Sequence, residues 1–229
     1  MRIAIMQPYI FPYIGYFQLI KSVDKFVFYD DVNFINKGWI NRNRIIVNGM
    51  INYFTIPLKS ASQNKIIKEI EYLDVKKIIK KIDQAYKKAP FYKEVMPIIE
   101  RCLLSDSFYI SDLAAKSVIC VSEYLDINIP FYFSSLINPG NNGKSRVERL
   151  VNICNLCDSK IYINNYSGNT LYAKEDFAEY GIDLHFLKPK IFKYRQFNSE
   201  FESGLSIIDV IMFNEKELIQ HYLNQYTLV

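Results

Sequence analysis

Apolar and polar positions at the start of the chain follow a strand–helix–strand rhythm. Residues 2–6 form a short apolar run rich in Ile that predicts a buried strand, and Pro8 and Pro12 interrupt it. Residues 15–24 have apolar side chains at helical spacing, and residues 25–31 form another apolar run that predicts a second strand. Because a helix connects the two runs, the pattern predicts a βαβ crossover and a parallel pair of strands.

The middle of the chain predicts a hairpin followed by helices. Asn48-Gly49 separates two strand-like runs and is the strongest short-range signal of a β-hairpin. From about residue 66 to residue 126 the apolar spacing is mainly helical, with interruptions at Pro90 and Pro97. We therefore expect a mainly helical insertion at about 66–126.

The strand and helix rhythm returns after this insertion. The strand-like runs are residues 129–136, 160–164 and 183–188, and the helix-like runs are residues 146–158 and 206–226. Such units on both sides of a helical segment predict one α/β domain over residues 1–229. The predicted architecture is a mainly parallel Rossmann-like sheet with flanking helices, a β-hairpin and a central helical segment.

The first two predicted strands are each followed by polar side chains. Gln7 comes directly after the first strand, and Asp30 and Asp31 end the second. Ligands of parallel sheets bind outside the carboxyl ends of the strands, so we expect these side chains to line one crevice. Successive strand residues point in opposite directions, which predicts that one carboxylate is a general base and the other is structural.

The segment NKGWINRNR, residues 36–44, combines the chain's one Trp with basic and amide side chains. Forked donors and acceptors beside an indole suit an anion or a planar ring, although an exposed, solvated loop is the alternative. The candidates are Lys37 and Arg42 for phosphate, Trp39 for ring stacking, and Asn41 and Asn43 for an oxyanion or sugar hydroxyls.

A loop rich in Gly and Asn, PGNNGKSR at residues 139–146, precedes a predicted helix. The N–H groups of a helix start, together with Lys144 and Arg146, suit a phosphate, and an ordinary Gly-rich turn is an equal alternative. The chain has neither a G-x-x-x-x-G-K-[ST] P-loop nor a G-x-G-x-x-G dinucleotide fingerprint.

Composition narrows the classes of function. The net charge of +4 is weak for a nucleic-acid-binding protein, and no apolar run is long enough for a transmembrane helix. Without a signal-peptide pattern, we expect a reduced, cytoplasmic protein with no membrane insertion. Cys154 and Cys157 form a C-x-x-C that lacks two further soft ligands nearby, so we expect no metal site. The apolar helical setting of Cys154 argues against a thiolate nucleophile.

Several stretches resemble the WbqC-like proteins. The likeness is strongest in MQPYIFPYIGYFQLIKSVDKFVFYDDVNFINKGWINRNRI, residues 6–45, and continues in YFTIPLK, KSRVERLVNIC, YINNYSGNTLY and LSIIDVIMFN. It spans nearly the whole chain. Proteins of this family are associated with O-antigen and other surface-polysaccharide gene clusters, beside enzymes that make nucleotide-linked amino sugars.

The resemblance implies an N-acyltransferase that moves an acyl group, such as acetyl, onto the amine of a nucleotide-linked amino sugar. Acyl-CoA or an acyl carrier protein is then the donor partner, acyl-CoA is a co-substrate, and no cofactor stays bound. We expect direct attack of the amine on the thioester, with Asp30 or Asp31 as base. The remaining expected substrate-binding residues are Gln7 and Tyr13. Whether the protein is a homodimer is left open by the sequence.

A second, more distant likeness connects QPYIFPYIGYFQLI with the phosphate-binding loop of the HxGH nucleotidyltransferases. Tyr13 and Tyr16 stand at the histidine positions. This likeness supports a nucleotide-binding α/β fold and argues against adenylyl transfer. The alternatives are a sugar-nucleotide or nucleotidyl transferase, in which the acids hold a metal, and a non-catalytic partner that binds carriers or sugars.

Overall fold

The computed structural model of the chain describes residues 1–138, 145–197 and 200–229. Its strands are β1 (Arg2–Met6), β2 (Lys25–Phe28), β3 (Arg42–Val47), β4 (Met50–Thr55), β5 (Phe131–Phe133), β6 (Ile161–Asn165), β7 (Asp183–Pro189) and β8 (Tyr226–Leu228). Within the described ranges, six strands form one sheet in the order β5-β2-β1-β6-β7-β8, and β3 and β4 form a separate antiparallel pair. The pairings of the main sheet are parallel except for β7 with β8. The predicted α/β class with a mainly parallel sheet and a β-hairpin is confirmed.

Helices cover both faces of the main sheet. They are α1 (Ile14–Lys21), α2 (Lys76–Tyr86), α3 (Tyr92–Leu103), α4 (Ile110–Tyr124), α5 (Ser134–Ile137), α6 (Arg146–Leu156), α7 (Lys174–Ala178), α8 (Ile207–Phe213) and α9 (Lys216–Leu223). Short 3₁₀ turns occupy Ile67–Glu69 and Tyr166–Thr170. One hydrophobic cluster joins α1–α4, α8 and α9 to one face of the sheet, and a smaller cluster joins α6 and α7 to the other.

Strand β1 lies in the middle of the sheet and is buried on both faces. Ala4 belongs to the larger hydrophobic cluster, whereas Ile3 and Ile5 belong to the smaller one. A strand that is buried on both sides has apolar residues at successive positions, as parallel strands under helices do. This explains why residues 3–6 are a continuous apolar run.

The hairpin forms where its turn sequence predicts it. Val47 pairs with Met50, and the turn residues Asn48 and Gly49 have φ of 50° and 78°. Asn and Gly tolerate this left-handed backbone, whose twist matches that of the flanking strands.

Three predicted elements end differently in the structure. Strand β2 stops at Phe28 rather than at residue 31, and the run 129–136 is a strand only to Phe133, after which α5 begins. These elements change together because Asp30 accepts hydrogen bonds at the start of α5. The helical tail ends before β8, which pairs antiparallel with β7 and adds a strand that apolar spacing did not predict.

The order of the strands creates a switch point at β1. The chain runs from β1 to β2 on one side and later returns to β6 on the other side. At such a reversal of strand order, connections leave in opposite directions and open a crevice outside the carboxyl ends of the strands. No helix of the described residues is long and apolar enough to cross a membrane.

Candidate functional site

A cleft opens at the carboxyl ends of β1 and β6 and has two adjoining halves. One half has a volume of about 660 Å³ and the other about 730 Å³. The residues that line both halves are Met6, Gln7, Ile35, Asn165 and Ser167. Met6 and Asn165 end β1 and β6, so the two halves meet at the switch point of the sheet.

The first half, here called the polar half, is lined by Arg146, Arg149, Asn164 and Tyr29 among others. Arg149 lies 5.3 Å from the centre of the Tyr29 ring, and its Nη2 donates to the carbonyl of Asp31 at 3.1 Å. Burial raises the pKa of Tyr29 to about 12, although the Arg149 guanidinium opposes the rise. Tyr29 is therefore a neutral hydroxyl at physiological pH, and Arg149 supplies positive charge beside it.

Side chains of α6 and its N-cap residue cap the start of this helix. Ser145 Oγ accepts from the Glu148 N–H at 3.1 Å, and Glu148 Oε2 accepts from the Ser145 N–H at 2.8 Å. This capping box satisfies N–H groups that a phosphate would otherwise bind. Arg146 is exposed and lines the polar half, and Lys144 lies outside the described residues. Among the described lining residues, positive charge in this half comes from arginine side chains.

The second half, here called the aromatic half, is lined by Tyr9, Tyr13, Trp39, Tyr166 and Arg44 among others. The ring of Tyr13 folds back over α1 where Gly15 has no side chain. A Cβ on Gly15 would lie 2.4 Å from that ring, so the glycine makes room for this wall of the cleft. Tyr16 does not line the cleft but is buried and donates to the Gln7 carbonyl at 3.0 Å.

The aromatic loop after β1 is held rigidly. Phe11 has a φ of 40°, which is strained for a bulky side chain, and its ring is fully buried. Its N–H donates to Ser117 Oγ at 2.9 Å, and its carbonyl accepts from Asn43 Nδ2 at 2.6 Å and Ser206 Oγ at 2.8 Å. Partners from distant segments compensate for the strain and fix the loop that carries Tyr9 and Tyr13.

Asp30 and Asp31 do not line either half, contrary to the expectation that both face the crevice. Asp30 is 3% exposed, and its carboxylate accepts from Ser134 Oγ, the Ser135 N–H and Ser135 Oγ. Asp31 lies nearer the cleft, where its Oδ2 is 3.5 Å from Arg149 Nη2. The chain turns after Phe28, which directs Asp30 to α5 instead of to the cleft. A catalytic role for either stays a prediction.

The segment 36–44 contributes only part of its candidates to the cleft. Trp39 lines the aromatic half, and its ring stacks against the ring of Tyr53. Lys37 is exposed and is not among the lining residues. Arg42 Nε donates to the Gly38 carbonyl at 3.0 Å and its guanidinium lies 4.9 Å from the Tyr53 ring centre.

The two candidate amides of this segment have structural partners. Asn41 Nδ2 donates to the Ile56 carbonyl at 2.8 Å. Asn43 is 2% exposed, yet it also borders the aromatic half; its Nδ2 bonds the loop carbonyls and its Oδ1 accepts from the Arg44 N–H. Both amides therefore shape the site, and their roles toward a ligand stay predictions.

Sequence reasoning singled out neither Arg44 nor Arg149, although both line the cleft. In each, Nε is buried without a hydrogen-bond partner. The two-residue period of a strand could have indicated Arg44, because Arg42 and Arg44 alternate with the buried Asn43 and so lie on the same face of the strand. Arg149 follows Arg146 at helical spacing, which puts both on one side of α6.

The cysteines of the described residues are buried and lie outside the cleft lining. Burial raises the pKa of Cys154 to about 12, so this thiol is protonated at neutral pH. No group of three or more His, Cys, Asp or Glu side chains that could hold a metal ion occurs within the described ranges.

The comparisons with known proteins identify the family. The sequence model of the WbqC-like protein family matches residues 7–221 of this chain. The uncharacterized protein Rv1507c of Mycobacterium tuberculosis (strain ATCC 25618 / H37Rv) is 26% identical over 221 residues, which cover 93% of each chain. No solved structure matches. The matched range contains the residues that line the two halves of the cleft except Ile5 and Met6, and the chain belongs to the WbqC-like protein family.

Proposed function

We propose that this protein is an N-acyltransferase that moves an acyl group from a CoA-type thioester to the amine of a nucleotide-linked amino sugar. The observation that carries the proposal is the cleft with two chemically different halves that meet at Gln7, Asn165 and Ser167. Two ligands that enter from opposite halves would place their reactive ends together, and such placement is a large source of rate.

The lining of each half favours a different ligand. The polar half presents Arg146, Arg149 and the neutral hydroxyl of Tyr29, which suit a sugar joined to a nucleoside diphosphate. The aromatic half presents Tyr9, Tyr13 and other rings, which suit a pantetheine arm and its acyl group. The proposed arrangement is a nucleotide sugar in the polar half and a thioester in the aromatic half.

The proposed step is direct. The lone pair of the sugar amine forms a C–N bond with the thioester carbonyl carbon, the C–S bond breaks, and the amine proton ends on the departing thiol. Gln7, whose uncharged side chain lies at the junction, is the proposed donor to the developing oxyanion. The Ser167 hydroxyl instead donates to Asn165 Oδ1. A covalent route through Cys154 is disfavoured because that thiol is buried and its pKa is raised.

The geometry of the cleft changes the expected mechanism most in the identity of the general base. Among the described lining residues of both halves there is no Asp, Glu or His side chain. Asp30 is engaged at α5 and Asp31 is paired with Arg149. We therefore propose that the amine reacts as its free base and that Asp31 acts by holding Arg149.

The same absence of an acid or histidine among the described lining residues favours a second candidate, a protein that binds sugar nucleotides or carriers without turnover. The discriminating experiment is incubation with a panel of nucleotide-linked amino sugars and acyl-CoAs, followed by mass spectrometry. An N-acylated sugar that depends on active protein supports the transferase. Saturable binding of a panel member with no product from any pair would support the binding protein instead.

The transferase also predicts which variants lose product. Arg149→Gln should reduce product formation at low sugar nucleotide and recover at saturation, because the lost interaction is one of binding. Cys154→Ser should retain transfer, provided that its unfolding temperature shows an intact core. Loss of all transfer in folded Cys154→Ser would favour the covalent route.

A further inference from the structure

Arg44 is a partly buried cation without an acidic partner among the described residues. Its Nη2 donates to the Gly204 carbonyl at 2.7 Å, and its Nε is buried with no hydrogen-bond partner. The ion pairs found in the described ranges do not include Arg44. A guanidinium always carries its charge, and a buried charge is costly unless it is paired.

The surroundings hold the Arg44 guanidinium in one place. It lies 5.7 Å from the Trp39 ring centre and contacts the chain at Gly204. Gly204 has a φ of 65°, and a Cβ there would lie 2.7 Å from Arg44 Nη2. The glycine thus permits a close approach of backbone and guanidinium, and Arg44, Trp39 and Gly204 all line the aromatic half.

Other arginines at the cleft have partners that Arg44 lacks. At the cleft, Arg149 lies 3.5 Å from the Asp31 carboxylate. Outside the cleft lining, Arg42 donates to two carbonyls, those of Gly38 and Lys37, whereas Arg44 donates to one. Arg44 therefore keeps an unpaired charge and terminal N–H groups for a ligand. Because the terminal N–H groups of a guanidinium form a fork, the matching group is a planar oxyanion.

The chemistry of the aromatic half favours a carboxylate over a phosphate. Arg44 is the only Lys or Arg among the described residues that line this half, and the remaining lining is mainly aromatic or aliphatic. A singly charged, planar carboxylate is matched by one guanidinium, whereas a phosphate carries more charge and more acceptors. We infer that Arg44 binds the carboxylate of a ligand in the aromatic half. Resting on the proposed function, this means an acyl group with a free carboxylate at the end remote from the thioester.

The test compares succinyl-CoA with butyryl-CoA, whose acyl chains are of equal length and end in a carboxylate or a methyl group. Isothermal titration of the full-length protein should show that succinyl-CoA binds about tenfold or more tightly, as expected for hydrogen bonds to a charged group. Arg44→Gln should abolish this preference while leaving butyryl-CoA binding nearly unchanged. Arg44→Lys should retain only part of it, because lysine keeps the charge and loses the fork.

Arg42→Gln is the matched control, since Arg42 lies on the same strand face and beside the same indole but does not line the cleft. It should leave the preference intact. Equal binding of the two thioesters by the wild-type protein would overturn the inference, and this comparison remains decisive if Arg44 variants do not fold. Displacement of succinyl-CoA by inorganic phosphate as effectively as by succinate would also overturn it, because the subsite would then be one for phosphate.

These titrations do not depend on turnover. A preference for succinyl-CoA without transfer to any amine would uphold the carboxylate subsite and refute the acyltransferase. Transfer from acetyl-CoA by a protein without the preference would uphold the acyltransferase and refute the subsite.

Discussion

The two halves of the cleft differ in how their arginines are paired. In the polar half, Arg149 lies against Asp31 and over Tyr29. In the aromatic half, the Arg44 guanidinium has the Gly204 carbonyl as its hydrogen-bond partner among the described residues. A paired arginine is held in place and shares its charge, while an unpaired one depends on its ligand for compensation. The halves are therefore suited to different anions, and substitutions should separate them.

The largest expected effect is that of Arg149→Gln on the polar half. Loss of the guanidinium should weaken the binding of UDP by about 10- to 100-fold, which is the range for hydrogen bonds to charged groups. Arg146→Gln, at an exposed neighbouring position, should change it much less. Calorimetric titration of both variants checks this. If Arg149→Gln weakens succinyl-CoA instead of UDP, the assignment of the halves is reversed.

Asp30→Asn should lower the stability of the folded state and should not weaken ligand binding in one half of the cleft more than in the other. Its carboxylate accepts from Ser134 Oγ, the Ser135 N–H and Ser135 Oγ at 2.7–3.0 Å. Weakening these bonds should lower the free energy of unfolding by about 1–3 kcal/mol. Denaturant unfolding measures this, with the exposed Asp176→Asn as control. Unchanged stability with a selective loss of turnover would return Asp30 to a catalytic role.

Gly15→Ala should act on the aromatic half alone. The added Cβ would meet the Tyr13 ring at 2.4 Å and displace it from the wall of the cleft. Loss of one aromatic contact should weaken butyryl-CoA binding by on the order of fivefold, with UDP binding unchanged. A double-mutant cycle with Tyr13→Ala isolates the cause, because Gly15→Ala should add nothing once the ring is gone. Additive losses would show that Gly15 acts elsewhere.

Asp31→Asn separates an anchoring role from a catalytic one. If Asp31 holds Arg149, the variant should raise the KM for the sugar nucleotide about two- to fivefold with little change in kcat, as for a partly exposed ion pair. Rates across a pH series provide the measurement. A fall in kcat of a hundredfold or more that recovers at high pH would identify Asp31 as the general base.

The smallest expected effect concerns Asp209, which anchors the chain beside the aromatic half. Its buried carboxylate accepts from Tyr86, Tyr194 and Gln196, and Gln196 in turn bonds Glu202 near Gly204. Burial raises the pKa of Asp209 above its ordinary value of 3.8. The folded state then binds the proton more tightly than the unfolded state, so stability should fall as the pH rises from about 3.8 through the raised pKa.

Asp209→Asn should flatten that part of the stability profile, because the titrating carboxyl group is removed. Urea unfolding of both proteins at several pH values measures the difference. Identical slopes in the two profiles would show that Asp209 does not cause the pH dependence.

Much of the fold could be predicted because local pattern and tertiary environment agree. Residues 3–6 are apolar throughout because β1 is covered on both faces. Asn48-Gly49 has the turn conformation that its sequence favours. The position of the cleft followed from the carboxyl-end rule for parallel strands. Gln7, which follows the first strand, accordingly lines both halves of the cleft.

The remaining features depend on contacts between distant residues. Asp30 meets Ser134 across 104 positions, and this contact ends β2, begins α5 and withdraws the carboxylate from the cleft. Arg44 meets Gly204 across 160 positions, so its orientation has no local signal. Arg149 resembles any polar residue of an amphipathic helix until β1 and β6 place the cleft beside it.

We propose that two ligands occupy the adjoining halves of one cleft at the same time. The direct measurement is a calorimetric titration of acetyl-CoA into the protein alone and into the protein saturated with UDP. We expect acetyl-CoA to bind in both titrations, with dissociation constants within about threefold, a coupling of less than 1 kcal/mol. Loss of acetyl-CoA binding in the presence of UDP would show that the two ligands share one site.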